Sequence, residues 1–360
     1  MLFPSFLCSV LSQHPYLCAA SALLVASYAS LRYFVINGVS TNGEEQNLNG
    51  KIFIVTGATS GIGSYTAQVL YRQGGKVYLA CRSEEKALEM IRTIREKVQK
   101  DQSLSGVGSL HFLHLDLNDL ESVRECAKEF LKTGDTLDCL INNAGCVTNS
   151  IRYTKQGYEE MMQANVLGHH LLIELLWQNM EKNPRGSRIV IVASMAHMFV
   201  SDRDFWNEQT KTYSLLNHVK KPVTKFSSIE YIDVNKQYGL TKLCNIYQVF
   251  NIHEQRIKNN PNCKITINCC HPGAIRSGLV REAPFYMTII LGLMQLLFFK
   301  NVKQGSQNTL HLACSPDVQG KSGAYYDDCR VTEPRPVAGN KVLREEFARL
   351  CEEVCQPYLS

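Results

Sequence analysis

Tyr238 and Lys242 stand four residues apart in KQYGLTKL, which is one helical turn, so an ammonium can sit beside a phenol. An unperturbed Tyr titrates near pH ~10, too high for efficient proton exchange near neutrality. A neighbouring positive charge lowers that value. Upstream, residues 52–63 (IFIVTGATSGIG) set Gly57, Gly61 and Gly63, with Ser60 and Ile62 in the same turn, between a strand-like run and a helix start. Small residues there let the backbone approach a pyrophosphate, and a helix N-terminus favours its charge. Three residues separate the first two glycines, so a tight strand-to-helix turn with no ligand is the alternative. A lone Tyr-x-x-x-Lys is usually a surface pair, and Ser194, closing RIVIVAS, is by itself a strand-end hydroxyl. Their joint presence is what joins a cofactor site to a proton relay.

These residues need elements to position them, and from Lys51 onward the pattern alternates strand and helix. KIFIVT, KVYLA, LHFLHL, LDCLIN, RIVIVAS and KITINCC are short apolar runs. Between them lie an amphipathic stretch to Gln73, a charged helix over 84–100, a long helix over 157–180 and the helix carrying Tyr238. Continuous apolar strands alternating with helices imply an α/β fold whose parallel sheet is buried on both faces. Residues 341–355 place Val342, Leu343, Phe347, Leu350 and Val354 at helical spacing, as a packing helix would.

The 360 residues, 45% hydrophobic, suit one large domain plus extensions. A net charge of +5 without a Lys/Arg block makes nucleic acid an unexpected partner. The 14 cysteines are scattered, which favours free thiols in a reducing compartment. Cys351 and Cys355 lie one turn apart without a His cluster, so they are expected on a buried face and no metal site is expected. Residues 16–31 carry no charge and Arg32 follows. With the apolar flank 34–36, residues 1–36 form an expected anchor helix. A cleaved signal peptide competes, but residues 1–15 contain no Lys or Arg. Residues 37–50 are the polar linker into a domain spanning 51–360.

TGATSGIG, Asp116, NNAG (142–145), Asn165, Ser194, Tyr238, Lys242 and HPG (271–273) follow the order of the short-chain dehydrogenase/reductases, and the chain resembles that superfamily over roughly 51–328. Within it the chain is similar to the retinol dehydrogenase group, through residues 77–82, 165–172, 193–197, 271–280 and 300–313. The resemblance implies a Rossmann-type doubly wound sheet with helices on both faces, and hydride transfer between NADP(H) and a carbonyl or alcohol. Tyr238 then donates the proton that the alkoxide needs, Lys242 lowers its pKa, Ser194 bonds the substrate oxygen, and Asn165 holds a water linking Lys242 to solvent. Asp116 resembles the residue that bonds the adenine amino group, or is only a turn residue. Asn142 resembles the residue bracing the sheet edge, and Asn143, Ala144 and Gly145 complete that turn beside the cofactor. Pro272, Gly273 and Ile275 match the loop facing the nicotinamide, with Ser277 near the phosphates.

Cofactor choice follows from the end of the second strand, where Arg82 stands and no acid does. An acid there would bind a ribose 2′-hydroxyl, whereas Arg82 suits a 2′-phosphate, a solvated arginine being the alternative. Two departures from the family stand out. The segment 199–236 is an insertion, expected as a loose surface insertion with shaping of the pocket mouth as the alternative, and Thr241 stands where relatives often have Ser or Ala, a change expected to be tolerated. Residues 283–299 are apolar and fall where relatives close over substrate. A lid for a lipophilic molecule, a buried core helix and a second span are the three readings. The expected protein is a membrane-anchored NADP(H) reductase/dehydrogenase, in the endoplasmic reticulum and facing the cytosol, with a homodimer left open. All-trans-retinal is the first substrate. A steroid, polyprenoid or lipid aldehyde is the alternative, and an NADP-binding tethered pseudoenzyme is the reading from another class.

Overall fold

The computed structural model describes residues 46–99, 107–207, 212–215, 219, 234–273 and 300–359. The expected anchor 1–36, most of the linker, much of the insertion 199–236, Ile275, Ser277 and the apolar stretch 283–299 lie outside the described residues. Among the described residues no helix is long and apolar enough to cross a membrane.

The apolar runs form the strands expected of them: β1 (Ile52–Thr56), β2 (Lys76–Cys81), β3 (Ser109–His114), β4 (Cys139–Asn142), β5 (Ser187–Val192) and β6 (Ile265–Cys270). Two short strands that the alternation does not announce, β7 (Ala324–Asp327) and β8 (Arg330–Val331), complete one eight-stranded sheet in the order β8-β7-β6-β5-β4-β1-β2-β3. Pairing is parallel from β3 through β7, and only β8 runs antiparallel, on β7. That exception has a local cause. Asp328 (φ 44°) and Cys329 (φ 62°) form a two-residue left-handed turn, a connection that joins antiparallel neighbours only.

Side chains alternate across the sheet as strand geometry requires. Phe53, Val55, Val77, Leu79, Cys139 and Ile141 pack on one face with α1 (Gly61–Arg72), α2 (Glu84–Gln99) and α6 (Val302–Cys314). Ile54, Tyr78, Ala80, Leu140, Ile189 and Ile191 pack on the other with α3 (Leu120–Lys132), α4 (160–181), α5 (Val234–Ile252) and α7 (Lys341–Cys355). The result is a Rossmann-like α/β fold with a mostly parallel, doubly covered sheet.

Two helices differ from expectation. α4 starts at Glu160, not at Gly157, because the Glu159 carboxylate accepts the N–H groups of Met161 and Met162 and so caps it. It is interrupted by a π turn, Gln163–Leu167, where the Gly168 N–H reaches back to the Gln163 carbonyl, before continuing as Gly168–Glu181. In α7 the apolar stripe is buried except for Val342, which is 52% exposed in the first turn. Cys351 and Cys355 are both buried there, and the described cysteines are all free.

Candidate active site

Every strand from β1 to β6 runs in one direction, so the residues that follow their C-terminal ends gather on one edge of the sheet. Gly57 follows β1, Arg82 follows β2, Asp116 comes two residues after β3, Asn143 follows β4, Ser194 comes two residues after β5 and His271 follows β6.

At the first of these ends the backbone is crowded. A Cβ on Gly63 would lie 2.5 Å from the Gly57 carbonyl and 2.5 Å from Asn143 Nδ2, and one on Gly57 would lie 2.9 Å from Ala144 Cα. Gly61 has open space but φ +55°. Ser60 makes no side-chain cap and the first turn of α1 holds no acid, so the helix start is free of competing anions. Together these features make a cradle that fits a pyrophosphate. Ile62 is the second residue of α1, half-buried behind the glycine turn. Arg82 is exposed, and no ion pair engages it among the described residues. Asp116 Oδ1 accepts the Asn118 N–H at 3.0 Å, so the turn role considered for it is met.

The NNAG turn is tied to β1 through Thr56. Its hydroxyl accepts the N–H groups of Asn143 and Ala144, both at 2.9 Å, while Asn143 Nδ2 donates to the Thr56 carbonyl at 2.8 Å. Asn142, expected to brace the sheet edge, is buried, with both side-chain polar atoms lacking a hydrogen bond. Gly145 faces the relay: a Cβ there would be 3.4 Å from Asn165 Oδ1 and 3.5 Å from Lys242 Nζ.

α5 carries the relay. The Ser194 side chain is near enough to lower the Tyr238 phenol's pKa, and Lys242 Nζ lies 5.6 Å from the Tyr238 ring centroid while donating to the Val192 carbonyl at 2.9 Å. Burial dominates both groups. It pushes the Tyr238 phenol up to about 12, against a smaller lowering by Ser194, and pushes the Lys242 ammonium down to about 8. The expected lowering of the phenol by Lys242 is therefore not what governs Tyr238 in this structure. Desolvation disfavours the phenolate, and Lys242 is held by a backbone carbonyl.

Asn165 sits in the π turn. Its Oδ1 accepts the Cys146 N–H at 2.8 Å, and its Nδ2 donates to the Cys146 carbonyl at 3.0 Å and to Thr241 Oγ1 at 3.1 Å. Thr241 in turn donates to the Tyr238 carbonyl at 2.8 Å. Thr at 241 is thus accommodated and its hydroxyl is used: Ser would keep it, whereas Ala would leave Asn165 Nδ2 one partner short. After β6, His271 Nδ1 accepts the Gly273 N–H at 3.0 Å and its Nε2 faces Asp327 at 2.8 Å, which fixes the turn at Pro272 and Gly273. The motif reading had no place for Thr56 or His169. A signal existed for His169, which lies four residues after Asn165 and so on the same helix side. Thr56 is marked only as the last residue of its strand.

The chain is similar to known proteins over most of its length. The short chain dehydrogenase family matches residues 51–202. Retinol dehydrogenase 14 of Homo sapiens is 32% identical over 91% of this chain and 93% of its own length. Among solved structures, an uncharacterized protein from Mycobacterium paratuberculosis superposes with a TM-score of 0.59 at 24% identity, covering 88% of this chain and 98% of its own. A short chain dehydrogenase from Shigella flexneri complexed with NADP does so at 0.53 and 18% identity, covering 79% and 100%. The two structures share the fold.

Proposed function

This chain belongs to the short-chain dehydrogenase family, oxidoreductases that act on CH–OH groups with a nicotinamide cofactor, and from that premise we propose that it interconverts a lipophilic carbonyl and its alcohol using NADP(H), with retinal and retinol as the first pair. The observation that carries this reading is the single sheet edge on which the glycine cradle, Arg82 and the Ser194–Tyr238–Lys242 group converge. The cradle fits the cofactor's pyrophosphate, since only glycine avoids a clash at positions 57 and 63. Gly57, Ser60, Gly61, Ile62 and Gly63 would hold that group, Arg82 the 2′-phosphate, Asp116 the adenine, and Asn143, Ala144, Gly145, Pro272 and Gly273 the nicotinamide side. When bound, the cofactor supplies the hydride.

The protein's own part is the proton. The Ser194 hydroxyl orients the substrate oxygen, and the Tyr238 phenol, kept protonated by burial, donates to it as negative charge develops. Lys242 stays cationic at pH 7 and stabilises the tyrosinate left behind. The retinoid assignment is supported by the name of the human relative and the lipophilic class by the apolar run 283–299. The charge-free run 16–31 followed by Arg32 supports a membrane anchor within residues 1–36, with the catalytic domain on the cytosolic side.

A panel of all-trans-retinal, steroid ketones, polyprenals and lipid aldehydes, each assayed with NADPH and NADH, tests the reading. Turnover with retinal and NADPH is expected. Turnover that excludes every lipophilic carbonyl would overturn it. Extraction of the full chain in alkaline carbonate tests the anchor: the protein should stay with the membrane pellet.

A further inference from the structure

His169 lies on α4, 2% exposed, with one ring nitrogen on each side of a gap between two parts of the site. Nε2 is 2.9 Å from the Thr56 hydroxyl, and Nδ1 is 3.2 Å from the Asn165 carbonyl. A carbonyl only accepts, so Nδ1 must carry the proton. Burial pushes the imidazole pKa down to about 4, so near neutrality the ring holds one proton and Nε2 is an acceptor. Thr56 has one hydroxyl proton. Its oxygen already accepts from Asn143 and Ala144, so the proton goes to His169, the other acceptor within reach being the Ile141 carbonyl at 3.4 Å. The directions of all these bonds are thereby fixed. They run from the NNAG turn through Thr56 and His169 to Asn165, and the Asn165 side chain continues to Thr241 and the Tyr238 backbone.

We propose that His169 is a positioning residue that locks the dinucleotide cradle to the proton relay, so that the turn at Asn143 and Ala144 and the relay helix α5 hold one relative placement. The proposal rests on the reading of that turn as a cofactor-binding surface. His169 touches neither cofactor nor substrate. It acts through Thr56 on one side and Asn165 on the other, which are 109 residues apart in sequence (165 minus 56).

The two arms can be cut separately. A Gln side chain places a carbonyl oxygen where Nε2 stands and keeps the Thr56 bond; an Asn places an amide where Nδ1 stands and keeps the Asn165 bond. In the full-length protein, His169→Asn should weaken NADPH binding roughly tenfold, the size of one net buried hydrogen bond. Thr56→Val, which also strands the Asn143 and Ala144 N–H groups, should weaken it at least as much, and the double variant should be no worse than Thr56→Val alone. His169→Gln should keep NADPH affinity and lower kcat instead, by a similar factor. Independently of activity, 15N-histidine NMR of the wild-type protein should show this ring, assigned through its contact with Thr56, as the Nδ1–H tautomer from pH 6 to 8.

A ring that is Nε2-protonated, or one that titrates in that range, overturns the proposal even if no variant folds. So do additive effects of Thr56→Val and His169→Asn, or variants that melt earlier with unchanged Kd and kcat. A wild-type protein that binds neither NADPH nor NADH overturns the functional reading and the coupling together; the NMR result distinguishes this from a wrong assignment of the bonds.

Discussion

Tyr238 and Lys242 are shifted in opposite directions by the same cause, and each shift predicts a measurement. The half-buried Tyr238 phenol is the proton donor proposed for the carbonyl oxygen, so Tyr238→Phe should cut turnover by roughly 10²–10⁴-fold while NADPH still binds. Near-normal turnover would remove Tyr238 from the relay. Lys242 titrates in the folded protein near 8 rather than at its ordinary 10.5. It is charged below about 8 and loses its proton as pH rises through that value, so the reduction rate should fall on the alkaline side. Lys242→Arg stays charged and should flatten that limb, though at a lower rate. The same limb in the Arg variant would assign it to another group. Linkage gives a second sign: between about 8 and 10.5 the unfolded chain binds a proton that the folded one has released, so Lys242's contribution to stability rises with pH in that window. At position 82, Arg82→Asp should reverse the NADPH over NADH preference in kcat/KM, since an acid repels a 2′-phosphate and accepts from a hydroxyl. A wild-type enzyme that already favours NADH would make Arg82 a surface charge.

At the scale of elements, the turn between β1 and α1 separates two uses of glycine. Gly63 is required by space, since a methyl would stand 2.5 Å from backbone oxygen that cannot move away. Gly61 is required by its φ of +55°, with nothing within 4 Å. Gly63→Ala should therefore cost about 1–3 kcal/mol by overpacking and also abolish nucleotide binding. Gly61→Ala should cost about 1 kcal/mol of backbone strain without a clash. Urea midpoints that rank the two in the reverse order would contradict the crowding. The elements themselves were largely legible. Apolar runs of five to seven residues became strands, and the stripe in 341–355 became α7. The β7–β8 hairpin was not legible, because Asp328-Cys329 lacks the Asn-Gly or Asp-Gly signal of a left-handed turn. Nor was the π turn in α4, because a one-residue slip in hydrogen bonding leaves the apolar period nearly unchanged.

Across the whole molecule, the sheet is covered by two helical layers, and α7 completes the one that holds α4 and α5 in place. Phe347, 1% exposed, packs beside Tyr247, whose hydroxyl donates to the Val337 carbonyl at 3.0 Å. Phe347→Ala should cost about 3–5 kcal/mol of stability. Because that residue lies outside the catalytic edge, folded variant protein should retain its NADPH affinity; loss of affinity in the folded variant would mean that α7 reaches the site.

The order of strands and helices and the candidate side chains for chemistry were legible in the sequence, because periodicity and residue type are local properties. Tertiary structure decided what those side chains meet. Thr241 read only as a tolerated departure, and the fold alone shows that Asn165, 76 residues away, donates to its hydroxyl. His169 was one of two adjacent histidines until the fold brought the Thr56 hydroxyl, at the end of β1, within 2.9 Å of its ring. Lys242 follows Tyr238 by one turn in any helix, yet the Val192 carbonyl at the end of β5 is what holds its ammonium. The direction of each pKa shift was also out of reach of spacing alone. Desolvation depends on how completely the fold excludes water, and only the packed sheet and its helices fix that.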